Sequence, residues 1–232
     1  ETKYGLIDMD GKLVMKAEFS DYSGGYDGEN LLILKKKDEW FAYNEALQPV
    51  FPKAFTYIEA INGLYKVQLG GVDNGYGTPD GGVFGIYDQN GREVIPVQYE
   101  DIEQIGYDNS TGYIIKSSGK YGLCSPSGQI LLEPTYSEIS CEDNMCIVSK
   151  YYEQSEQTKM GLYDADVNKE VVPTQYDHIE SLNYNSSYLF KTNNKFGLMS
   201  PTGKIILPAK YNFLWKSLLF FNKVDSLETV YA

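Results

Sequence analysis

Apolar residues along this chain come in short runs separated by clusters of Gly, Pro, Asp, Asn and Ser. Nowhere does a 3.6-residue apolar period persist. Short β-branched runs bounded by turn residues predict strands, and this pattern predicts almost no helix. Leu13-Val14-Met15, Val94-Ile95, Leu131-Leu132, Val171-Val172 and Ile205-Ile206-Leu207 are such runs. Tyr113-Ile114-Ile115-Lys116 and Tyr188-Leu189-Phe190-Lys191 form a second set.

The runs keep a common phase, and self-similarity at a fixed period determines the fold before any single element does. An aromatic–Gly pair opens each unit at Tyr4-Gly5, Phe84-Gly85, Tyr121-Gly122 and Phe196-Gly197, with Phe41-Ala42 and Met160-Gly161 as degenerate copies. Successive anchors lie 37, 43, 37, 39 and 36 residues apart, and Tyr231-Ala232 repeats the phase once more. A period of about 38 residues is that of a propeller blade. Four residues after each anchor stands a turn: Asp8-Met9-Asp10-Gly11, Asp88-Gln89-Asn90-Gly91, Ser125-Pro126-Ser127-Gly128 and Ser200-Pro201-Thr202-Gly203. Asp or Ser first and Gly fourth predicts a type I turn closing on a left-handed glycine, a hairpin connection. Pro52, Pro96, Pro173 and Pro208 are expected to end the following strands, because proline cannot donate to a ladder. An aromatic then recurs in every unit (Phe19, Phe55, Tyr99, Tyr136, Tyr176, Tyr211), with an apolar or aromatic residue three places on (Tyr22, Ile58, Ile102, Ile139, Ile179, Leu214). Each unit therefore holds three or four strands in a meander.

At these residues the chain resembles the bacterial WG (KWG) repeats, whose pattern is aromatic–Gly, I-D-x-x-G-K, an apolar run, Pro and Y-D-x-I. Residues 84–102 follow it nearly place for place, whereas the unit at Phe41 is eroded and the usual anchor Trp is replaced by Tyr or Phe. The resemblance implies a β-rich repeat scaffold of secreted or cell-envelope proteins and carries no catalytic residues across. The expected architecture is an all-β, six-bladed propeller forming one repeat domain over 1–232, with Ser217–Phe221 pairing beside Tyr4–Ile7 to close the ring. An open stack or solenoid is the alternative.

Composition narrows the function classes. A chain of 232 residues with 42% hydrophobic content buries a core without needing metal or disulfide. Its net charge of −12 argues against nucleic acid and anionic membrane surfaces. The longest apolar run, at Ser217–Phe221, is far too short for a spanning helix. The first residue is Glu1, so a trimmed or processed chain is expected.

Candidate chemistry is sparse. His178 is the only histidine and reads as an outward polar residue between two buried ones. With scattered Cys it builds no zinc site. Asp8-x-Asp10-Gly11 lacks the later ligand of a calcium loop, so no metal or cofactor is expected. Cys141 and Cys146 flank a tip taken to link two blades. They close a disulfide in an oxidising compartment or stay as free thiols otherwise. Cys124 falls at the place of Ile7, Tyr87 and Tyr163 and reads as an unreactive sheet residue. Asp21, Asp101 and Glu138 recur in phase and present either a contact rim or solvated loops. The Gly-rich insertion 70–82, carrying Tyr76, and the segment with Tyr151 and Tyr152 exceed their sister repeats and are candidate contact loops. Together these point to a non-catalytic scaffold presenting loops to a protein partner. A carbohydrate-binding propeller is the alternative, and a glycoside hydrolase-like enzyme ranks last.

Overall fold

The computed structural model describes residues 2–24, 30–72, 78–106, 111–182 and 187–214. The short apolar runs form 21 strands, every sheet is antiparallel, and no helix occurs among the described residues. β1 (Tyr4–Ile7) and β2 (Leu13–Phe19) pair as two strands, and β3 (Asp21–Gly24), β4 (Leu32–Lys36) and β5 (Glu39–Tyr43) as three. Four-stranded meanders follow. The first is β6 (Tyr57–Ile61), β7 (Leu64–Leu69), β8 (Val83–Asp88) and β9 (Glu93–Tyr99). The next is β10 (Asp101–Gln104), β11 (Tyr113–Ser117), β12 (Lys120–Cys124) and β13 (Ile130–Tyr136). Then come β14 (Glu138–Glu142), β15 (Met145–Tyr152), β16 (Gln157–Asp164) and β17 (Lys169–Tyr176). The last is β18 (His178–Leu182), β19 (Ser187–Thr192), β20 (Lys195–Met199) and β21 (Ile205–Tyr211). The expected closing strand Ser217–Phe221 and the anchor copy Tyr231-Ala232 lie outside the described residues.

The turn between third and fourth strands is as the residue types dictate. Gly11, Gly91, Gly128 and Gly203 have φ between 76° and 84°; the unit at Phe41 places Leu47 (57°) there, and the unit at Met160, whose turn is one residue longer, places Asn168 (51°) one position on. The turn's first side chain accepts a local N–H: Asp8 from Lys12 at 2.8 Å, Asn44 from Gln48 at 2.9 Å, Asp88 from Arg92 at 2.9 Å, Ser125 from Gln129 at 3.1 Å, Ser200 from Lys204 at 3.2 Å. Asp164 does the same with Asp166 at 3.1 Å. A short polar side chain that satisfies its own turn fixes the hairpin without tertiary help.

Pro96, Pro134, Pro173 and Pro208 do not end the fourth strands, which run through them, and Pro52 stands outside any strand. Phe84 pairs with Tyr99 but Ile86 with Ile95, so Pro96-Val97-Gln98 lie opposite the single residue Gly85. The same three-against-one bulge sets Lys16-Ala17-Glu18 over Gly5, Glu133-Pro134-Thr135 over Gly122, Pro173-Thr174-Gln175 over Gly161 and Pro208-Ala209-Lys210 over Gly197. Proline is tolerated because a bulge on an outer strand requires no N–H from it. The bulge also explains the anchor glycine. A Cβ on Gly122 would stand 2.5 Å from the Leu132 carbonyl oxygen, and one on Gly161 2.5 Å from that of Val172.

The eroded unit corrects the expected register. Trp40, not Phe41, bridges to Phe55, as Tyr4 pairs with Phe19 and Tyr121 with Tyr136. The anchor tryptophan is therefore present once, as Trp40, with Phe41 in the glycine's place. No bulged strand passes over Phe41; only isolated bridges follow. Phe51 instead drops into the core against Phe55, Tyr65 and Tyr87, with ring centroids 5.9, 5.7 and 5.3 Å away.

Residues Glu1–Ile102 and Glu103–Ala232 make two compact units. In the first, Ile33 and Ala42 pack against Ile58, Tyr65, Val67 and Tyr87 of the next sheet. In the second, Ile114 and Leu123 meet Ile139, Cys146, Val148 and Tyr163, while Leu162 and Val172 meet Ile179, Tyr188, Phe190 and Met199. Strand alternation thus gives every inner sheet two apolar faces. Opposite the anchor rings Trp40, Tyr121 and Phe196 stand Lys35, Lys116 and Lys191, their ammonium groups 5.5, 5.3 and 5.4 Å from the ring centres. These cation–π contacts let lysine stems cover rings at the sheet margin.

Candidate functional site

Of the three in-phase carboxylates, Asp101 is tied into the scaffold. Asp21, Asp101 and Glu138 each open the first strand of a sheet, the place His178 takes in β18. Asp101 Oδ1 accepts from Lys66 Nζ at 3.1 Å and from the Ile102 N–H at 2.8 Å, and Lys66 Nζ lies 4.7 Å from the Phe84 ring centre. Asp21 Oδ1 accepts from the Tyr22 N–H at 2.9 Å, and Glu138 is exposed. The lysine before the anchor plays a matching part: Lys159 pairs with Asp177, and Lys195 donates to Asn212. Each reaches the residue after the post-turn aromatic and pins strand four to the anchor. Asp88 shows the same economy. Burial pushes its carboxyl up, but N–H groups of Arg92 and Asn90 and the Arg92 guanidinium hold it below the usual range.

His178 is half-buried and pairs across the ladder with Lys191, beside buried Ile179. Cys124 is buried and burial pushes its thiol up to about 12, far from a nucleophile's range. Cys141 and Cys146 stand directly opposite in the β14–β15 ladder, Cα atoms 4.0 Å apart, and are joined by a disulfide. They flank a turn inside one sheet rather than a link between sheets, which corrects the sequence expectation. Among the described residues, no group of three or more His, Cys, Asp or Glu is placed to hold a metal ion. No helix among them is long and apolar enough to cross a membrane.

Two second-to-third-strand hairpins exceed their siblings. The insertion 70–82 continues the β7–β8 hairpin: Val72 and Asp80 exchange N–H to C=O bonds of 2.9 Å. Gln68, fully buried, donates to the Pro79 and Gly81 carbonyls at 2.8 and 2.5 Å and so ties down the base of the loop. Tyr76 lies outside the described residues. The second extension lies in the Glu103–Ala232 unit. β15 and β16 are eight residues each, and their ladder continues past Ser149–Met160 through Lys150–Lys159, Tyr151–Thr158 and Tyr152–Gln157. β14 stops opposite Ser149 and β17 opposite Met160, so this last stretch is an arm with no strand paired to either of its edges.

The arm carries the candidate site. Tyr151 is 45% exposed and Tyr152 38% exposed. The Tyr152 hydroxyl shares a 2.6 Å hydrogen bond with Thr174 Oγ1 and donates to the Thr174 carbonyl at 3.3 Å. Its ring is thereby laid toward the β17 bulge and held there. A groove of about 710 Å³ opens beside it, with Gln154 and Ser155 of the arm's tip on one side and Thr174 and Gln175 of the bulge on the other. Residue pattern alone found Tyr151 and Tyr152; it missed Thr174, Gln175 and Lys159, which a bulge and an ion pair bring to the same place.

The family model of the WG containing repeat matches residues 4–40, 84–111 and 196–216. No curated protein matches the chain. Among solved structures, a eukaryotic initiation factor is 11% identical, with 88% of this chain and 59% of that chain covered and a TM-score of 0.43. Kluyveromyces lactis Hsv2 is 9% identical, with 82% and 62% covered and a TM-score of 0.34. A protein of unknown function from Bacteroides caccae is 11% identical, with 89% of each chain covered and a TM-score of 0.25. The chain spans less than two thirds of the first two. The anchors, capped turns and bulged outer strands at Tyr4, Phe84 and Phe196 thus fall where this chain is similar to the WG containing repeat.

Proposed function

We propose that this β-repeat scaffold is a non-catalytic interaction module that engages a protein partner through its lengthened hairpins, chiefly the β15–β16 arm. The observation that carries the reading is the arm itself, three ladder pairs longer than the sheet that supports it, with two exposed tyrosines. Rigid amphipathic rings on a projecting ribbon give contact area at low entropic cost. The engagement of Asp88, Asp101 and Asp177 with Arg92, Lys66 and Lys159 supports a structural rather than catalytic use of carboxylates. The disulfide and the resemblance to envelope repeats support an extracytoplasmic setting. The test is a photo-crosslinker at Gln175, exposed beside the arm and retained in both chains, in the wild type and in one whose residues 151–158 are cut to a two-residue turn. A defined partner captured only by the long arm is the expected result. Capture that survives the cut refutes the reading, as does turnover lost on substituting one carboxylate.

The full architecture belongs to the same proposal: six blades, closed by Ser217–Phe221 beside Tyr4–Ile7. Its support is the two-stranded sheet β1–β2 and Ile7, which is 66% exposed where its counterparts Tyr87, Cys124 and Met199 are buried. A chain ending at residue 214 is expected to bind a synthetic 215–232 peptide saturably and regain thermal stability. No binding would favour the open stack.

A further inference from the structure

The groove beside the arm combines features that sort its ligand by chemistry. One wall is the Tyr152 ring, anchored at its hydroxyl to Thr174, so little side-chain freedom remains to be lost on binding. The polar lining is made of groups that both donate and accept: the amides of Gln154 and Gln175 and the Ser155 hydroxyl. Two charged side chains also line it: the Lys159 ammonium, already paired with Asp177, and Glu153, whose carboxylate repels an anion. A volume of about 710 Å³ lies in the range of small-ligand sites.

An apolar ligand would leave the two glutamine amides unpaired, while the Ser155 hydroxyl, which donates to the Tyr152 carbonyl at 3.4 Å, keeps its oxygen free to accept. A phosphate or an acidic chain would meet Glu153 without a counter-charge. A neutral polyhydroxylated chain satisfies every element: the carbon face of a sugar ring on Tyr152, and its hydroxyls, each donor and acceptor, on Gln154, Ser155 and Gln175. We propose that the groove between the β15–β16 arm and the β17 bulge binds a neutral oligosaccharide, with Tyr152 as the stacking platform and Gln154 and Gln175 as the orienting amides.

This ligand goes beyond the protein-partner reading and shares with it only the arm. Calorimetric titration of the wild-type chain with cellohexaose, chitohexaose, maltohexaose and mannohexaose tests it. Saturable binding of at least one is expected. Tyr152→Ala should weaken that binding about tenfold, the size of one lost central contact. Gln175→Ala should weaken it about fivefold, whereas Tyr152→Phe, which keeps the ring, should do so only about twofold. Tyr152 and Gln175 are both exposed, so these variants should keep the wild-type melting temperature, and circular dichroism checks that they do. Absence of binding by all four sugars up to millimolar concentration overturns the proposal, as does binding indifferent to Tyr152→Ala. Arm-dependent protein capture with no sugar binding would sink this proposal and leave the protein-partner reading standing.

Discussion

Adding one methyl group to Gly122 tests the account of the repeat most directly. Gly122 lies buried in β12, beneath the three-residue bulge of β13. A Cβ there would sit 2.5 Å from the Leu132 oxygen, 2.8 Å from the Pro134 nitrogen and 3.0 Å from the Glu133 carbonyl carbon. All three are backbone atoms, so no side-chain rotation relieves the clash. Forcing one extra carbon into such a place costs about 1–3 kcal/mol, and here the upper end applies because the strand itself must move. Against this, alanine restricts the unfolded chain and returns about 0.4–1 kcal/mol. The net loss for Gly122→Ala is therefore about 2 kcal/mol, or about 4–8 °C in melting temperature for a chain of this length. Gly119 in the preceding turn supplies the contrast. It has φ 69° and nothing within 4 Å of its would-be Cβ. Gly119→Ala meets only the left-handed backbone penalty of about 1 kcal/mol, and Gly119→Asn less, since asparagine tolerates that region. Urea unfolding followed by circular dichroism, with equal m-values required, reads both. If Gly122→Ala and Gly122→Asn prove no worse than the same changes at Gly119, the bulge is not what selects glycine at the anchor.

Leu47 holds φ 57° where four sister units have glycine, so Leu47→Gly should stabilise the first unit by about 1 kcal/mol, read as a raised urea midpoint. Replacing Cys141 and Cys146 together by alanine removes a bridge between residues five apart, which loop-closure entropy values at about 2 kcal/mol; thermal unfolding with and without a thiol reductant should show the same loss. Burial pushes the Tyr113 hydroxyl and the Cys124 thiol each up to about 12, and raises Tyr188 as well. The unfolded chain gives up these protons near pH 9–10 and the folded chain does not, so stability is full below about pH 9 and falls as pH rises above it. Urea midpoints between pH 7 and 11 check the sign, and a flat profile would refute it. Cys124 should also resist maleimide at pH 8 until the chain unfolds.

How much of this was readable beforehand follows from how local each cause is. The Asp- and Ser-led turns were legible because one side chain satisfies its own turn, as Asp88 and Ser125 do. Proline is not legible as a strand end in this sequence, because a missing N–H counts only where a ladder wants it, and Pro96, Pro173 and Pro208 stand in bulges on outer strands. Trp40 was overlooked because Phe41 mimics an anchor aromatic; only the bridge to Phe55 fixes the register. The Cys141–Cys146 spacing left pairing open, since opposition across a ladder depends on where the turn falls, at Asp143-Asn144. For the site, an over-long segment marked Tyr151 and Tyr152, whereas Thr174 and Gln175 arrive through a bulge whose position no single residue announces.

Tandem copies of one motif face a hazard that unique sequences do not: any unit's last strand can seize a neighbour's partner while the chain is still assembling. Two extra residues and a rigid ring at the margin of β9, β13, β17 and β21 make that strand a poor template for any straight newcomer. The kinked border that forces glycine into the anchor thus also acts as a guard on assembly, allowing near-identical modules to be strung in series without tangling.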